Sequence, residues 1–411
     1  MKQKSKAVLI VLSVILLLLI AGCGKKGDEI SKNNPFLGGT KGLEIEFLKD
    51  SPPDDITDNN LFPFRVVLTV KNEGEFLLDD RRQVKAGLKG FLPEDFGTTV
   101  NSLKDQPPAD VPTPRQKDAE GNIIEAVETF VTFPPTTDTN DLRLGADKIK
   151  GNTEFLFRAD ACYKYGTEAV GKICILQNMI SPAEDTICNP RGEKAVFSSS
   201  SPLQVTKFRQ TVVGERKLQF SFDIEHKGKG KIFEDKNPTT KEAVCPTAVA
   251  DVRAKEDEVH VTVKTGLGAV GNLVCIGLKQ QTVAGEVNGE ELKLVNGKRT
   301  ITCTQDTANI NTDLERNVNI QLRFNYLGNI EKKVLAKHFA AAPTISETQP
   351  GLKPVCGTTG APSSTHCKAS ACKEFYTNCE PITITDPPCR CDSGFICQGS
   401  CTDKPGAEDR D

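Results

Sequence analysis

Cysteine supplies most of the chemistry visible in this chain of 411 residues, which holds fifteen of them. An odd number leaves at least one without a partner inside the chain. Cys162, Cys174, Cys188, Cys245, Cys275 and Cys303 are spread through the middle, while Cys356, Cys367, Cys372, Cys379, Cys389, Cys391, Cys397 and Cys401 crowd towards the end. No C-x-x-C occurs; the nearest spacings are Cys389-x-Cys391 and Cys397-x-x-x-Cys401. Zinc ribbons need closely spaced thiolate pairs, so sulfur paired with sulfur is the expected state, and His366 beside Cys367 does not change that. Gly266-Leu267-Gly268-Ala269-Val270-Gly271 has the G-x-G-x-x-G spacing of a dinucleotide loop, with Glu286 about 20 residues on. Such a loop must open a helix whose N-terminus faces the pyrophosphate. Here "NLVCIGLKQQTVAG" follows, rich in β-branched residues and broken by Gly277, so a glycine-rich hairpin loop is expected and no cofactor. His226, His260, His338 and His366 lie far apart, and neither H-E-x-x-H nor G-x-S-x-G is present. Asp54-Asp55, Asp79-Asp80 and Glu256-Asp257-Glu258 lack the D-x-D-x-D-G spacing of a calcium loop and read as solvated turns. No catalytic, cofactor-binding or metal-ligating residue is assigned, and the chain reads as non-enzymatic.

Cys23 differs from the other fourteen. Lys2, Lys4 and Lys6 precede an apolar run from Ala7 to Ala21 in which Ser13 is the only polar residue. A basic start and a core of this length make an export signal, too short to span a bilayer comfortably. The run ends in Ile20-Ala21-Gly22-Cys23. Small residues before a cysteine resemble a bacterial lipobox, which implies cleavage before Cys23 and a diacylglyceryl group on its thiol. The alternative is an uncleaved N-terminal helix; on either reading the rest of the chain is extracytoplasmic and held at the cell membrane. The fourteen remaining cysteines could then form seven bridges in an oxidising compartment.

Composition narrows the partners. Loss of residues 1–22 takes the net charge from −3 to about −6, which argues against nucleic acid and against an electrostatic hold on anionic lipid. The chain has no tryptophan and only four tyrosines, few for a sugar-stacking cleft. Another protein or an envelope component is the expected partner, besides the membrane itself.

The elements that must carry these residues are strands. Residues 23–42 read as a polar tether. Beyond them Phe64, Val66, Leu68 and Val70 share one face, as do Leu218, Phe220, Phe222 and Ile224, then Val259, Val261 and Val263, then Val318, Ile320, Leu322, Phe324 and Tyr326. Strict alternation of this kind means one face buried and one wet, as in antiparallel sandwiches. His260 falls on a wet face. "SSSSP" at 198–202 reads as a linker, and Pro93–Gly97 and residues 107–121 as loops. The expected fold is mainly β: two Ig-like antiparallel β-sandwich modules at 43–197 and 203–343, then a small disulfide-rich segment at 344–411.

The two modules echo each other. "VVLTVKNEGEF" parallels "FSFDIEHKGKGKIF": an alternating strand, a polar turn with glycine, then a second strand opening on phenylalanine. This pattern resembles the CARDB-type Ig-like modules of bacterial and archaeal surface proteins, whose signature includes N-x-G after a strand. Lys71-Asn72-Glu73-Gly74 matches it; His226-Lys227-Gly228-Lys229-Gly230 keeps the glycines without the asparagine. "GLEIEFLKDSPPDDI" and "ACYKYGTEAVGKICI" are similar to stretches of archaeal surface lipoproteins. The resemblance implies a surface location and an Ig-like fold, and no activity.

Three bridges are expected in the middle of the chain. A hairpin centred on Glu168 would set Cys162 opposite Cys174. Cys275 pairs with Cys303 on neighbouring strands, which leaves Cys188 with Cys245. The tail is too polar for a core of its own and relies on bridges; "CRCDSGFICQGSC" is similar to the endings of EGF-like and trypsin-inhibitor-like knots. The expected role is display of β-modules for adhesion or envelope assembly. The alternatives are a protease inhibitor or receptor-like binder acting through the tail, and a transport binding subunit or exported hydrolase.

Overall fold

Alternating apolar and polar residues fold as strand because the pleat turns successive side chains to opposite faces. The computed structural model describes residues 34–60, 62–235, 240–246, 249–267, 272–283 and 286–338. The expected export signal (1–22), Cys23, the first part of the tether, and the tail 344–411 with its eight cysteines and His366 lie outside the described residues. The first half of the chain forms β1 (Leu43–Phe47), β2 (Asp55–Thr57), β3 (Val66–Asn72), β4 (Val84–Lys89), β5 (Gln116–Lys117), β6 (Ile123–Ile124) and β7 (Thr129–Phe133). The long β8 (Thr153–Ile175) follows, then β9 (Gly192–Glu193), β10 (Val196–Ser198), β11 (Leu203–Gly214), β12 (Lys217–His226) and β13 (Lys231–Glu234). After a short helix α1 (Val249–Lys255) come β14 (Glu258–Lys264), β15 (Leu273–Ile276), β16 (Lys279–Val283), β17 (Glu286–Lys293), β18 (Lys298–Asp306) and the long β19 (Leu314–Lys337). The fold is mainly β and its sheets are antiparallel but for the short β2–β19 pair.

Two long strands organise everything else. β8 has 23 residues and β19 has 24, and they pair antiparallel from Leu314↔Ile175 to Ala336↔Thr153. They form the spine of a nine-stranded sheet, β10-β8-β19-β14-β17-β16, with β4 also on β8 and with β13 and β2 also on β19. One face of the pair carries most of its buried apolar side chains, interrupted by Thr167, Arg316 and Lys332. Towards one end, Phe157, Ala159, Ala161, Val334 and Ala336 face the three-stranded sheet β1-β3-β7. That smaller core is dominated by phenylalanine: Phe96 meets Phe64, Phe155 and Phe157 edge-on and Phe91 at a tilt. Towards the other end, Ala169, Ile173, Val318, Ile320, Leu322 and Phe324 face the five-stranded sheet β15-β18-β12-β11-β9. Every inward residue expected on β12, β14 and β19 is buried there. Phe64, Val66, Leu68 and Val70 are buried in the smaller core as expected.

The long pair overturns several expectations. The chain does not divide into modules at 198–202, since strands from 43–197 and from 203–343 share the nine-stranded sheet. Ser198, Ser199, Ser200 and Ser201 are buried and hydrogen-bonded, so the segment is a structural strap and not a linker. There is no hairpin at Glu168. Cys162 and Cys174 lie on one continuous strand, about 40 Å apart at ~3.3 Å per residue, and cannot meet. Cys162 bridges Cys245, Cys174 bridges Cys188, and the expected Cys275–Cys303 bridge is present. Gly266 follows β14, which pairs with β17 and β19 and not with β15, so the glycine motif begins a crossing between sheets and not a hairpin. Residues 37–41, assigned to the tether, are tied to Glu75 and the serine strap. Phe76 opens no strand; after Asn72 the chain runs irregularly to a 3₁₀ turn at Arg81–Gln83.

Candidate functional site

Where the two cores meet, three of the four tyrosines gather on the apolar face of the long pair. Tyr163 and Tyr165 stand edge-to-face at 5.7 Å, and Tyr326 lies 5.3 Å from Tyr163. Burial pushes the pKa of the Tyr163 and Tyr165 hydroxyls far above the ordinary tyrosine value and that of Tyr326 above it, so all three act as neutral hydrogen-bonding groups. Four chain segments meet around them, two of them bonded to a tyrosine hydroxyl. The first is the turn after β3. Asn72, fully buried, accepts the Tyr165 hydroxyl at 2.8 Å and donates from Nδ2 to the Phe76 carbonyl at 2.8 Å. Gly74 lies so close that a Cβ would stand 1.9 Å from the Tyr165 oxygen and 2.6 Å from the Lys41 carbonyl. The second is the turn after β12, where the Gly230 N–H donates to the Tyr326 hydroxyl at 2.7 Å and a Cβ on Gly228 would stand 2.2 Å from that oxygen. The third is the serine strap, and the fourth is the entering chain at 37–41.

Glu75 ties these segments together. Its carboxylate accepts the backbone N–H groups of Leu37 (2.8 Å), Gly38 (2.9 Å) and Ser200 (2.6 Å). The Ser200 hydroxyl donates to the Lys41 carbonyl at 3.0 Å. Ser199 exchanges two hydrogen bonds with Glu168, through its own N–H and its hydroxyl. Serine serves here because its short side chain fits a buried position and still satisfies backbone groups.

Beside this junction opens a groove of about 560 Å³, lined by Glu75, Phe76, Leu77, Asp79, Glu168 and Arg323 among others. The Arg323 guanidinium sits 5.0 Å over the Phe76 ring and 2.5 Å from Glu168. Asp79 pairs with Lys241 at 3.2 Å, and the neighbouring Asp80 is held at about 2 by hydrogen bonds from Arg82. The charged groups are therefore committed to one another. Within the groove's described lining, Leu77 is the exposed apolar side chain, at 63%.

The other sequence candidates are scattered. Asp54 and Asp55 pair with Lys332 and Lys337, and Glu256 with Lys231. His260 is half-buried on β14 and hydrogen-bonded or otherwise engaged. His338 Nδ1 lies 2.6 Å from the buried Asp58. His226 packs edge-on against Tyr326 at 5.8 Å, and loss of hydration pushes its pKa down. Among the described residues no three His, Cys, Asp or Glu side chains cluster as metal ligands. None of the residues assembled at the junction was singled out from the sequence for a role there. The available signal was tyrosine itself, scarce in the chain yet found three times on inward strand positions.

No protein-family model matches the chain, and no curated protein sequence matches it. Three disulfides within the described residues point to an oxidising, extracytoplasmic environment. Among the described residues no helix is long and apolar enough to cross a membrane.

Proposed function

We propose that this is a non-enzymatic surface lipoprotein, anchored through Cys23, whose Ig-like β-modules are fused into one rigid scaffold for adhesion or envelope assembly. The observation that carries the reading is the commitment of polar groups at the junction: Glu75 to three backbone amides, Glu168 to Arg323, Asp79 to Lys241. A hydrolase or transferase keeps a nucleophile and a base poised for substrate; here such groups close the scaffold instead. The disulfides support an exported address, and the Ala7–Cys23 pattern supports the lipid anchor. The loop closed by Cys174–Cys188 holds Ile180 and Ile187 in water at 54% and 63% exposure, the kind of apolar display a protein-contacting loop makes.

Cell fractionation tests the anchor. The wild-type chain is expected in the membrane fraction with the mass of residues 23–411 plus diacylglyceryl, and open to protease added outside intact cells. Cys23→Ala is expected in the soluble fraction or unprocessed. A Cys23→Ala protein that is correctly cleaved and still membrane-bound overturns the anchor, and a protected chain overturns the surface location.

A further inference from the structure

The opposite face of the long pair carries a different chemistry. Residues 163 and 165 point into the junction, so Lys164 points to the back of the sheet. Its partner across the pair is Asn325, whose own partner on the far side is Phe233. The segment 240–246 passes over this row and is fastened by the Cys162–Cys245 bridge, by the Val244 N–H to Asn325 Oδ1 at 3.2 Å, and by its own buried Ala243, whose N–H donates to the Arg82 carbonyl at 3.1 Å. Under this cover the Lys164 amine lies 3.0 Å from Asp235 Oδ1, with the two side chains 4% and 8% exposed. The Thr240 carbonyl at 2.6 Å and its hydroxyl at 3.3 Å fix the nitrogen from another side. Lysine–carboxylate pairs on the molecular surface, such as Lys85–Glu242 and Lys332–Asp54, keep the lysine at least 22% in water. Charge separation in a dry site is expensive, and burying an ion pair seldom stabilises a fold more than apolar packing would.

We propose that Lys164 and Asp235 condense into an intramolecular isopeptide bond. The ammonium proton passes to the carboxylate across their hydrogen bond, leaving a neutral amine beside a neutral acid. The amine nitrogen attacks Asp235 Cγ; the C–N bond forms, the C–O bond to the protonated oxygen breaks, and that oxygen leaves as water with one of the two amine protons. The remaining amide N–H stays directed at the Thr240 carbonyl. No oxidant or co-reactant is consumed. The departing water has somewhere to go, because a cavity of about 190 Å³ lined by Phe233, Asp235, Thr240 and Asn325 adjoins the pair. The bond would staple β8 to the end of β13 across β19, two residues along β8 from the Cys162–Cys245 bridge that fastens segment 240–246. Unlike the disulfide, it survives reduction.

Peptide mapping of the full-length protein tests this. After reduction, alkylation and trypsin, cleavage after Lys164 is blocked, and residues 159–172 appear joined to residues 232–236 at a mass lower by about 18 Da, one water, than the sum of the two peptides. Tandem fragmentation should place the branch between Lys164 and Asp235. Lys164→Met and Asp235→Ala should each abolish the branched species. Separate, unmodified peptides 159–164 and 232–236 from the wild-type chain overturn the proposal, whatever the variants do. So does a branch joining Lys164 to another residue, or a water loss that persists in Lys164→Met and therefore arises from cyclisation at aspartate.

Discussion

The turn after β3 and the turn after β12 solve one problem in two ways. Each must bring a polar, glycine-containing loop against a buried tyrosine on the long strand pair. At the first, the tyrosine hydroxyl donates: Tyr165 gives its proton to Asn72, and Asn72 in turn holds the Phe76 carbonyl. At the second, the hydroxyl accepts, from the Gly230 N–H. Where the first turn has Asn72 with both ends of its amide satisfied, the second has His226, whose Nε2 is buried with no hydrogen-bond partner. The first turn is thus polar and saturated, and the second relies on ring packing. A hydroxyl can play either role, so tyrosine tolerates both solutions, whereas asparagine earns its place only where a donor and an acceptor stand at the right separation.

The contrast is sharpest for the glycines. Gly74→Ala would drive a methyl into the Tyr165 oxygen and two backbone carbonyls, of Lys41 and Ser200. Backbone cannot swing aside, so a loss of about 3 kcal/mol is expected in urea unfolding. Gly228→Ala meets chiefly the Tyr326 hydroxyl and Pro202, and a loss of about 1–2 kcal/mol is expected. Equal losses would mean the two turns are packed alike. Asn72→Ala strands the Phe76 carbonyl and the Tyr165 hydroxyl together and should cost about 2 kcal/mol; Asn72→Asp, which keeps the acceptor but sets a buried carboxylate against the Phe76 carbonyl, should cost more. Tyr165→Phe and Tyr326→Phe each remove one hydrogen bond, for about 1 kcal/mol each. Only the second leaves an N–H unpaired, which faster amide exchange at Gly230 would register.

The smallest effect concerns pH. Burial lowers the His226 pKa below its ordinary 6.5, so beneath that pH the unfolded chain binds more proton than the folded one. Stability from this residue is complete above about pH 6.5 and is lost as pH falls through the window down to the folded-state pKa; Asp257 opposes the shift. His226→Gln should flatten the slope of the urea midpoint between pH 7 and pH 5, apart from a pH-independent fall from the lost ring contact with Tyr326. An unchanged slope removes histidine from the account of the second turn.

Strand faces were legible in the sequence, and long-range assembly was not. Period two placed Leu218, Phe220, Phe222 and Ile224 inward because burial on one face of a sheet leaves a local pattern. The same pattern says nothing about which strand lies alongside. The stretch between Cys162 and Cys174 suggested a hairpin with glycine near its apex. Gly166 in fact sits mid-strand, where a Cβ would stand 2.7 Å from both the Arg323 guanidinium and the Phe76 ring. It is there for close approach and not for a turn, and composition cannot distinguish the two uses. "SSSSP" misled for a related reason: serine is common in linkers, yet a hydroxyl can also replace water for buried backbone groups. The N-x-G of the first turn was visible as a motif, but its tyrosine partner is 93 residues away.

The shared strand pair has a mechanical consequence. Hydrogen bonds in an antiparallel ladder run perpendicular to the strands. Tension drawn along β19 from its His338 end therefore loads the ladder from Leu314 to Ala336 in shear, with its rungs resisting together, and cannot peel them one after another. Glu75 clasps Leu37 and Gly38 beside the middle of this ladder, so tension between residue 37 and His338 runs through the pairing of β19 with β8.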